Sequence, residues 1–317
     1  MEQNQFLYFI TIPGNEPLLK TEVEIYYPWL KFAYSRPGFC TFKNTSDKLS
    51  LDKIATLPII FSLTWGESFG IKKIDNFKNE NIQILQEENK EFEICQFDLP
   101  HLDYQDSWKK DFISLPSDKK IDVIRTHKNE LLIGRRFLDS WNSPWRRNFT
   151  PEKENVISRA YYKGADSFAM FLPKGRPTKV LEFGSAPGGT SLYLCKNGHN
   201  VVGVDPAEMS DQVTRFKNFK HAQFAVQTFQ IRGENQFEII TSDMNLSPKL
   251  VLKEISRLQK DLPKLKNMFI TIKLTDNVQI RDLENYKKFV LDMDFDDIHL
   301  VQLPYHKKEC LLFARRK

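Results

Sequence analysis

An apolar stretch, Val180-Leu181-Glu182-Phe183, runs directly into Gly184-Ser185-Ala186-Pro187-Gly188-Gly189, and Thr190-Ser191 then open a helical pattern. Strand, small-residue loop and helix in that order bring a backbone close to a ligand, because glycine carries no side chain and a helix N-terminus offers unpaired N–H groups. A second apolar stretch ends at Asp205, about twenty residues on, where a carboxylate can accept hydrogen bonds from ribose hydroxyls. Dinucleotide sites share this architecture but are marked by G-x-G-x-x-G. Here the loop reads G-S-A-P-G-G, Pro187 removes a donor, and the middle glycine that would admit a pyrophosphate is missing. A nucleoside without phosphates fits better, so the expected cofactor is S-adenosyl-L-methionine, held by Gly184, Ser185, Ala186, Pro187, Gly188, Gly189 and Asp205.

The elements that must position this loop follow from periodicity. Val156–Phe171 has helical spacing. Strands are expected at Lys179–Phe183, Val201–Val204, Phe237–Ser242 and Met268–Ile272, with helices over Thr190–Lys196, Leu250–Leu262 and Leu283–Met293. Two closing strands lie near His299–Leu303 and Cys310–Ala314. Such alternation predicts an α/β, Rossmann-like domain with a mostly parallel seven-stranded sheet over residues 146–317. The first 65 residues read β-α-β-β-α-β: Phe6–Ile12, Glu16–Tyr27, Leu30–Tyr34, Phe39–Phe42, a helix capped by Ser46 and running to Ala55, and Pro58–Leu63. That order is ferredoxin-like, an α+β unit. Residues 66–145 form a further small α/β region, with strands at Glu91–Phe97, Lys120–Thr126 and Leu131–Phe137. Its end carries Trp145-Arg146-Arg147, where an aromatic ring can stack on an unpaired base while arginines hold phosphate. The plain alternative is a linker packing on the next domain.

Bulk properties narrow the classes. With 41% hydrophobic and 27% charged residues the chain is an ordinary globular protein. No apolar run reaches membrane-span length, so no membrane partner is expected. The first residues read as a strand rather than a signal peptide. Cys40, Cys95, Cys195 and Cys310 lie far apart without a CxxC pair, which argues against a metal site and for reduced, cytoplasmic thiols. A net charge of +5 is compatible with RNA but does not demand it.

Several of these residues resemble the FtsJ-like ribose 2′-O-methyltransferases of RNA. Ser158-Arg159-Ala160-Tyr161-Tyr162-Lys163 looks like the family's motif ahead of the cofactor strand, and Ala186-Pro187-Gly188-Gly189 matches its loop. Asp243-Met244, Ile272-Lys273 and Tyr305-His306-Lys307-Lys308-Glu309 are similar to its remaining motifs. The resemblance implies a catalytic tetrad of Lys163, Asp243, Lys273 and Glu309, with Asp243 also near the cofactor. Within the family, Asn142-Ser143-Pro144 and the ending through Arg315-Arg316 resemble the M-type enzymes, which methylate a cytidine ribose of large-subunit ribosomal RNA and carry ferredoxin-like and THUMP-like RNA-binding modules ahead of the catalytic domain. Gln227-Thr228, expected near the end of the strand after Asp205, stand about where many relatives place an acidic residue beside the adenine.

The chemistry is coherent on its own terms. A ribose hydroxyl is a poor nucleophile at neutral pH, so transfer of a sulfonium methyl requires proton removal and an in-line approach. Lys273 is the candidate base, Asp243 would position it, and Lys163 and Glu309 would balance the cluster at two charges of each sign. Each residue also has a plain reading: a solvated lysine at a strand end, an aspartate capping a turn, a helix-surface lysine, a glutamate paired with Lys307 or Arg315. Other reaction classes are less well served. Asp243-Met244-Asn245-Leu246 lacks the Pro-Pro-aromatic signature of many base N-methylating enzymes, and none of the cysteines sits in a loop suited to C5-methylation. Methylation of transfer RNA or of a messenger cap remains an alternative, as does an RNA-binding protein that keeps the fold without the reaction.

Overall fold

The structure, a computed structural model, describes residues 5–46, 50–73, 93–98, 120–127, 129–137, 156–172, 176–231 and 236–316. It divides into two compact units, Met1–Phe149 and Thr150–Lys317.

The first unit begins β1 (Phe6–Ile10), α1 (Glu16–Tyr26), β2 (Leu30–Arg36), β3 (Phe39–Asn44), α2 (Leu51–Ala55) and β4 (Thr64–Lys73), and continues with β5 (Glu93–Asp98), β6 (Lys120–His127) and β7 (Glu130–Arg136). All seven strands form one sheet in the order β2-β3-β1-β4-β7-β6-β5. Only β5 and β6 run parallel; the other pairs are antiparallel. The expected boundary at 65/66 falls inside β4, which pairs with β1 on one side and β7 on the other, so both expected regions share a sheet.

At the middle of that sheet Tyr8 lies over two glycines. A Cβ on Gly66 would stand 2.7 Å, and one on Gly134 2.6 Å, from the Tyr8 ring, so only glycine leaves room for it. The buried Tyr8 hydroxyl donates to Asp122 Oδ2 at 2.5 Å, and Arg136 Nε donates to the same oxygen at 2.8 Å. A polar network closed in this way satisfies its own charges across β1, β6 and β7.

Two expectations fail in this unit. Ser50 rather than Ser46 stands at the N-cap of α2. Pro58–Leu63 is not a strand, although Ile59, Ile60, Phe61 and Leu63 are buried as its apolar character requires. Its amides explain why: Ile60 N–H and Phe61 N–H donate to the buried Glu22 carboxylate at 2.6 and 2.9 Å instead of entering a ladder.

The second unit comprises α3 (Ala160–Phe171), β8 (Lys179–Phe183), α4 (Gly189–Lys196), β9 (Asn200–Val204), α5 (Asp211–Thr214), β10 (Phe219–Ala222), β11 (Ile239–Ser242), α6 (Pro248–Gln259), β12 (Asn267–Lys273), α7 (Leu283–Leu291), β13 (Asp297–Val301) and β14 (Glu309–Arg315). Its sheet runs β10-β9-β8-β11-β12-β14-β13. Strands β10, β9, β8, β11 and β12 are mutually parallel, and β14 is antiparallel to both β12 and β13. Central strands buried on both faces are continuously apolar, as Val180, Leu181 and Phe183 and then Ile239 and Ile240 show.

Helix α3 starts at Ala160, four residues later than expected, because Ser158 and Arg159 form a turn that gives Tyr161 and Tyr162 their first backbone acceptors. The short α5 was not anticipated, since four residues are too few for a period to register, and the strand after Asp205 is the four-residue β10. Among the described residues no helix is long and apolar enough to cross a membrane.

Burial raises the Glu22 carboxyl to about 8, and the two donated amides oppose that rise without cancelling it. The native state therefore holds a proton that the unfolded chain, with its ordinary carboxylate, releases at lower pH. Glu22 contributes stability below its unfolded value, and this is lost as pH rises through about 8. In chemical denaturation across this range, Glu22→Gln should flatten the decline of stability with pH; an unchanged slope would contradict this account.

Candidate active site

The C-terminal ends of β8, β9 and β11 meet the first turn of α4 at one edge of the sheet, and each carries a piece of the loop predicted to hold the cofactor. Gly184 has φ of 73° and Gly188 of 113°, both in the left-handed region that glycine tolerates. A Cβ on Gly184 would lie 2.9 Å from the Met244 backbone, so this glycine is what admits the Asp243-Met244 segment beside the loop. Asp205, immediately beyond β9, accepts Ala186 N–H on Oδ2 at 3.2 Å and Ala207 N–H on Oδ1 at 2.8 Å. Asp205, expected to accept hydrogen bonds from ribose hydroxyls, thus also ties down the loop through Ala186. Ser185 Oγ lies 3.6 Å from Met209 Sδ, and Ser210 N–H donates to Pro187 O.

Close packing then sets α3 against α4. A Cβ on Gly189 would stand 2.3 Å from Ser158 Oγ, and one on Gly164 3.0 Å from Thr190 Cγ2. Thr190 Oγ1 donates to Ala160 O at 3.1 Å. The apolar face of α3, with Tyr161, Phe168 and Phe171, is buried in the core, where Phe168 stacks on Phe269 and Phe171 on Phe313. Lys163 is carried on this arc and is 7% exposed, not a helix-surface lysine.

Lys163 Nζ lies 3.0 Å from Asp243 Oδ2 and 2.6 Å from Glu309 Oε1. Lys273 Nζ lies 3.3 Å from the other Asp243 oxygen, Oδ1. Four residues spread over the length of the unit therefore form one alternating chain, Glu309–Lys163–Asp243–Lys273. Asp243 follows β11, Lys273 closes β12 and Glu309 opens β14, and the last two are register partners in the antiparallel ladder. Glu309 pairs with Lys163 rather than Arg315, which donates to Phe171 O and Asn267 Oδ1. The two lysines differ in setting: the Lys163 side chain is 9% exposed between two carboxylates, while that of Lys273 is 26% exposed with one.

Two buried groups beside this chain escaped the sequence reading. Glu182, in β8, accepts a hydrogen bond from Ser191 Oγ. Burial raises its carboxyl to about 8, with Asp243 and Asp205 pushing the same way. His306 accepts Leu303 N–H on Nδ1 at 3.1 Å, and its imidazole is pushed down to about 3 by burial and then by Lys163. It is a neutral ring at ordinary pH, carrying its proton on Nε2. Neither could be found from sequence, since a glutamate inside an apolar strand and a histidine inside a loop have no pattern of their own. Tyr305, next to His306, stacks on Tyr162 of α3 at 4.7 Å between ring centroids.

Gln227 and Thr228 are not at a strand end. β10 stops at Ala222, and Thr228 lies in a turn closed by its N–H to Ala225 O. The residues following β10 are Gln223, whose Nε2 donates to Pro206 O, and Phe224, a ring 54% exposed. Trp145, Arg146 and Arg147 lie outside the described residues.

The donor set suits S-adenosylmethionine. A glycine-rich turn admits a nucleoside, and the Asp205 and Asp243 carboxylates beside it suit a cationic sulfonium and ammonium. Comparison with known proteins agrees. Residues 156–299, just under half of the chain, match the FtsJ-like methyltransferase family model. The second unit is a methyltransferase domain whose cofactor is S-adenosylmethionine. The matched segment is similar to the FtsJ-like methyltransferases.

No curated protein matches the chain. Solved structures similar to it include a protein of Plasmodium falciparum assigned as a ribosomal RNA methyltransferase, at 17% identity and TM-score 0.40, covering 50% of this chain and 97% of that one. The 1,6-didemethyltoxoflavin-N1-methyltransferase of Burkholderia thailandensis has 18% identity and TM-score 0.40 over 50% of this chain and 78% of its own. TrmN of Thermus thermophilus has 11% identity and TM-score 0.37 over 99% and 100%.

Removing the Lys163 ammonium would leave the Asp243 and Glu309 carboxylates facing each other at a buried site. Lys163→Met should therefore cost about 3–5 kcal/mol of stability, the range for breaking one side of a buried ion pair. Thermal unfolding of the variant alongside Lys163→Met/Glu309→Gln checks this, since the double variant removes one orphaned charge and should recover part of the loss. Separately, Gly184→Ala should weaken S-adenosylmethionine binding at least about tenfold by calorimetry, because a Cβ there strains φ and displaces Met244.

Proposed function

We propose that the chain is an S-adenosylmethionine-dependent RNA ribose 2′-O-methyltransferase acting on large-subunit ribosomal RNA, with Lys163, Asp243, Lys273 and Glu309 as its catalytic tetrad. The observation that carries this reading is the convergence of those four side chains beside the cofactor loop, at the carboxyl ends of the parallel strands. When bound, S-adenosylmethionine supplies a methyl group on a positively charged sulfur. Lys273, with one carboxylate neighbour and the more open side chain, faces the incoming ribose and, in its neutral amine form, takes the 2′-hydroxyl proton as the ribose oxygen accepts the methyl group, becoming the ammonium that Asp243 stabilises. Asp243 orients Lys273 through Oδ1 and is itself oriented by Lys163 through Oδ2, so the base is aimed by a buried cation two links away. Glu309 keeps Lys163 in place, and neutral His306 fills the space behind it without adding charge.

The first unit supports an RNA substrate. Its β-α-β-β-α-β run with strand order β2-β3-β1-β4 supports reading it as a ferredoxin-like unit followed by a THUMP-like region, both expected to bind RNA together with Trp145, Arg146 and Arg147. On this reading the protein works in the cytoplasm, where ribosomal RNA is accessible.

Transfer of labelled methyl to fractionated, unmodified cellular RNA tests the proposal. Label should enter large ribosomal RNA as an alkali-resistant linkage, and Lys273→Ala should lower the rate by about 10²–10⁴ while leaving cofactor affinity unchanged. Label in transfer RNA or in a messenger cap would move the target and keep the mechanism. Full activity in Lys273→Ala would remove the base, and no transfer to any RNA would favour a binding protein.

A further inference from the structure

The second unit has charge at both ends of its sheet. Opposite the catalytic edge, where β8, β9, β11 and β12 begin, lies an open cavity of about 650 Å³ lined by Arg176, Lys179, Lys264 and Lys266 among others. Its one acidic lining residue, Glu238, is already paired with Arg176 at 2.8 Å, which leaves the three lysines in excess. Backbone hydrogen bonds hold the wall rigid: Lys266 N–H donates to Glu238 O, and Glu238 N–H to Lys179 O.

Helix α6 joins the two ends. It starts at Pro248, five residues past Asp243, and ends at Gln259, from which a turn leads to Pro263 and Lys264 at the cavity rim. Lys249, Lys253, Arg257, Lys260 and Lys264 recur at spacings of four, four, three and four, and all are exposed. Along α6 and its C-cap, Lys249, Lys253, Arg257 and Lys260 make one ridge, with cations about 6 Å apart along an axis about 17 Å long, and Lys264 follows in the turn beyond. Arg257 is tied down, donating to Glu254 at 2.9 Å and to the Phe229 and Val226 carbonyls, so it serves the fold. The lysines of the ridge form no ion pair among the described residues, and Asp261 is the exposed acid in its path. The apolar side of α6 (Val251, Leu252, Ile255 and Leu258) is buried, so the cationic side is held outward as a fixed surface.

We propose that this ridge and the cavity at its foot are a track for the phosphate backbone of the RNA flanking the methylated nucleotide. The track leads away from the catalytic edge along α6 and covers on the order of five nucleotides at ~3.4 Å per nucleotide of a helical strand. It rests on the RNA substrate proposed above and extends it to a surface remote from the tetrad. A row of lysines along a helix and the turn that follows it neutralises successive phosphates without reading bases, so the track sets affinity and strand direction, not sequence preference.

Anisotropy titrations of the full chain with a labelled single-stranded RNA, repeated over a salt series, test this. The triple change Lys253→Glu, Lys260→Glu and Lys264→Glu should weaken binding at least about tenfold and lower the slope of log affinity against log salt by about three, one for each phosphate left without its lysine. S-adenosylmethionine affinity and the melting temperature should stay at wild-type values, since all three side chains are exposed. Lys288→Glu, on the exposed side of α7, should change neither affinity nor slope. If the triple variant binds with wild-type affinity and slope, or if wild type binds no RNA, the track is overturned. Methyl transfer measured in parallel separates the two readings. Transfer to RNA that survives the triple change with unaltered KM refutes the track and leaves the proposed activity standing. Salt-sensitive binding lost in the triple variant, without transfer by wild type, supports the track and refutes the activity.

Discussion

A buried ammonium held between two carboxylates is costly to assemble, because each ion gives up water that only its partners replace. Lys163 is such an ion, and the geometry around it follows from keeping it satisfied. Asp243 must come within 3.0 Å and Glu309 within 2.6 Å, which requires the end of β11 and the start of β14 to lie at the same height beside α3. Once Asp243 is turned toward Lys163 by one oxygen, its second oxygen is presented to Lys273. The most exposed member of the cluster is thereby located by a buried one.

Small residues make that arrangement sterically available. Gly164 and Gly189 let α3 settle against α4, which sets the depth of Lys163, and Gly184 lets the residue after Asp243 pass over the loop. The same packing therefore shapes the cofactor turn and locates the charged chain. Asp205 works to the same end, one carboxylate oxygen holding the Ala186 amide of the loop and the other the Ala207 amide just beyond Asp205. Such preorganisation lowers the ordering cost that binding would otherwise carry.

Much of the second unit was legible because its signals are local. Apolar runs of strand length alternating with helical spacing identify an α/β domain, and a glycine-rich turn between strand and helix identifies a nucleoside site. What the sequence hid is what depends on tertiary structure. Nothing in Pro58–Leu63 announces that Glu22 will capture its amides and keep an apolar, β-prone stretch out of the sheet. Gln227-Thr228 read as a strand end, whereas β10 is only four residues long and stops well before them. Glu182 and His306 look ordinary in the chain, and only burial beside charged neighbours gives them unusual protonation. The lysine ridge had the reverse problem: its spacing was visible, but only the position of α6 between the two ends of the sheet gives it meaning.

The strand order carries a consequence for synthesis. β14 is the last strand in sequence but sits inside the sheet, between β12 and β13. As the chain leaves the ribosome, β8 to β12 can pair in turn, yet β13 has no neighbour to join until β14 inserts beside β12. Glu309 arrives with that strand. Throughout elongation the lysine of α3 has only Asp243 to answer its charge, and the cluster becomes neutral at the step that completes the sheet. Folding of the domain and assembly of its chemistry thus finish together, so a chain stalled before its last strand lacks both.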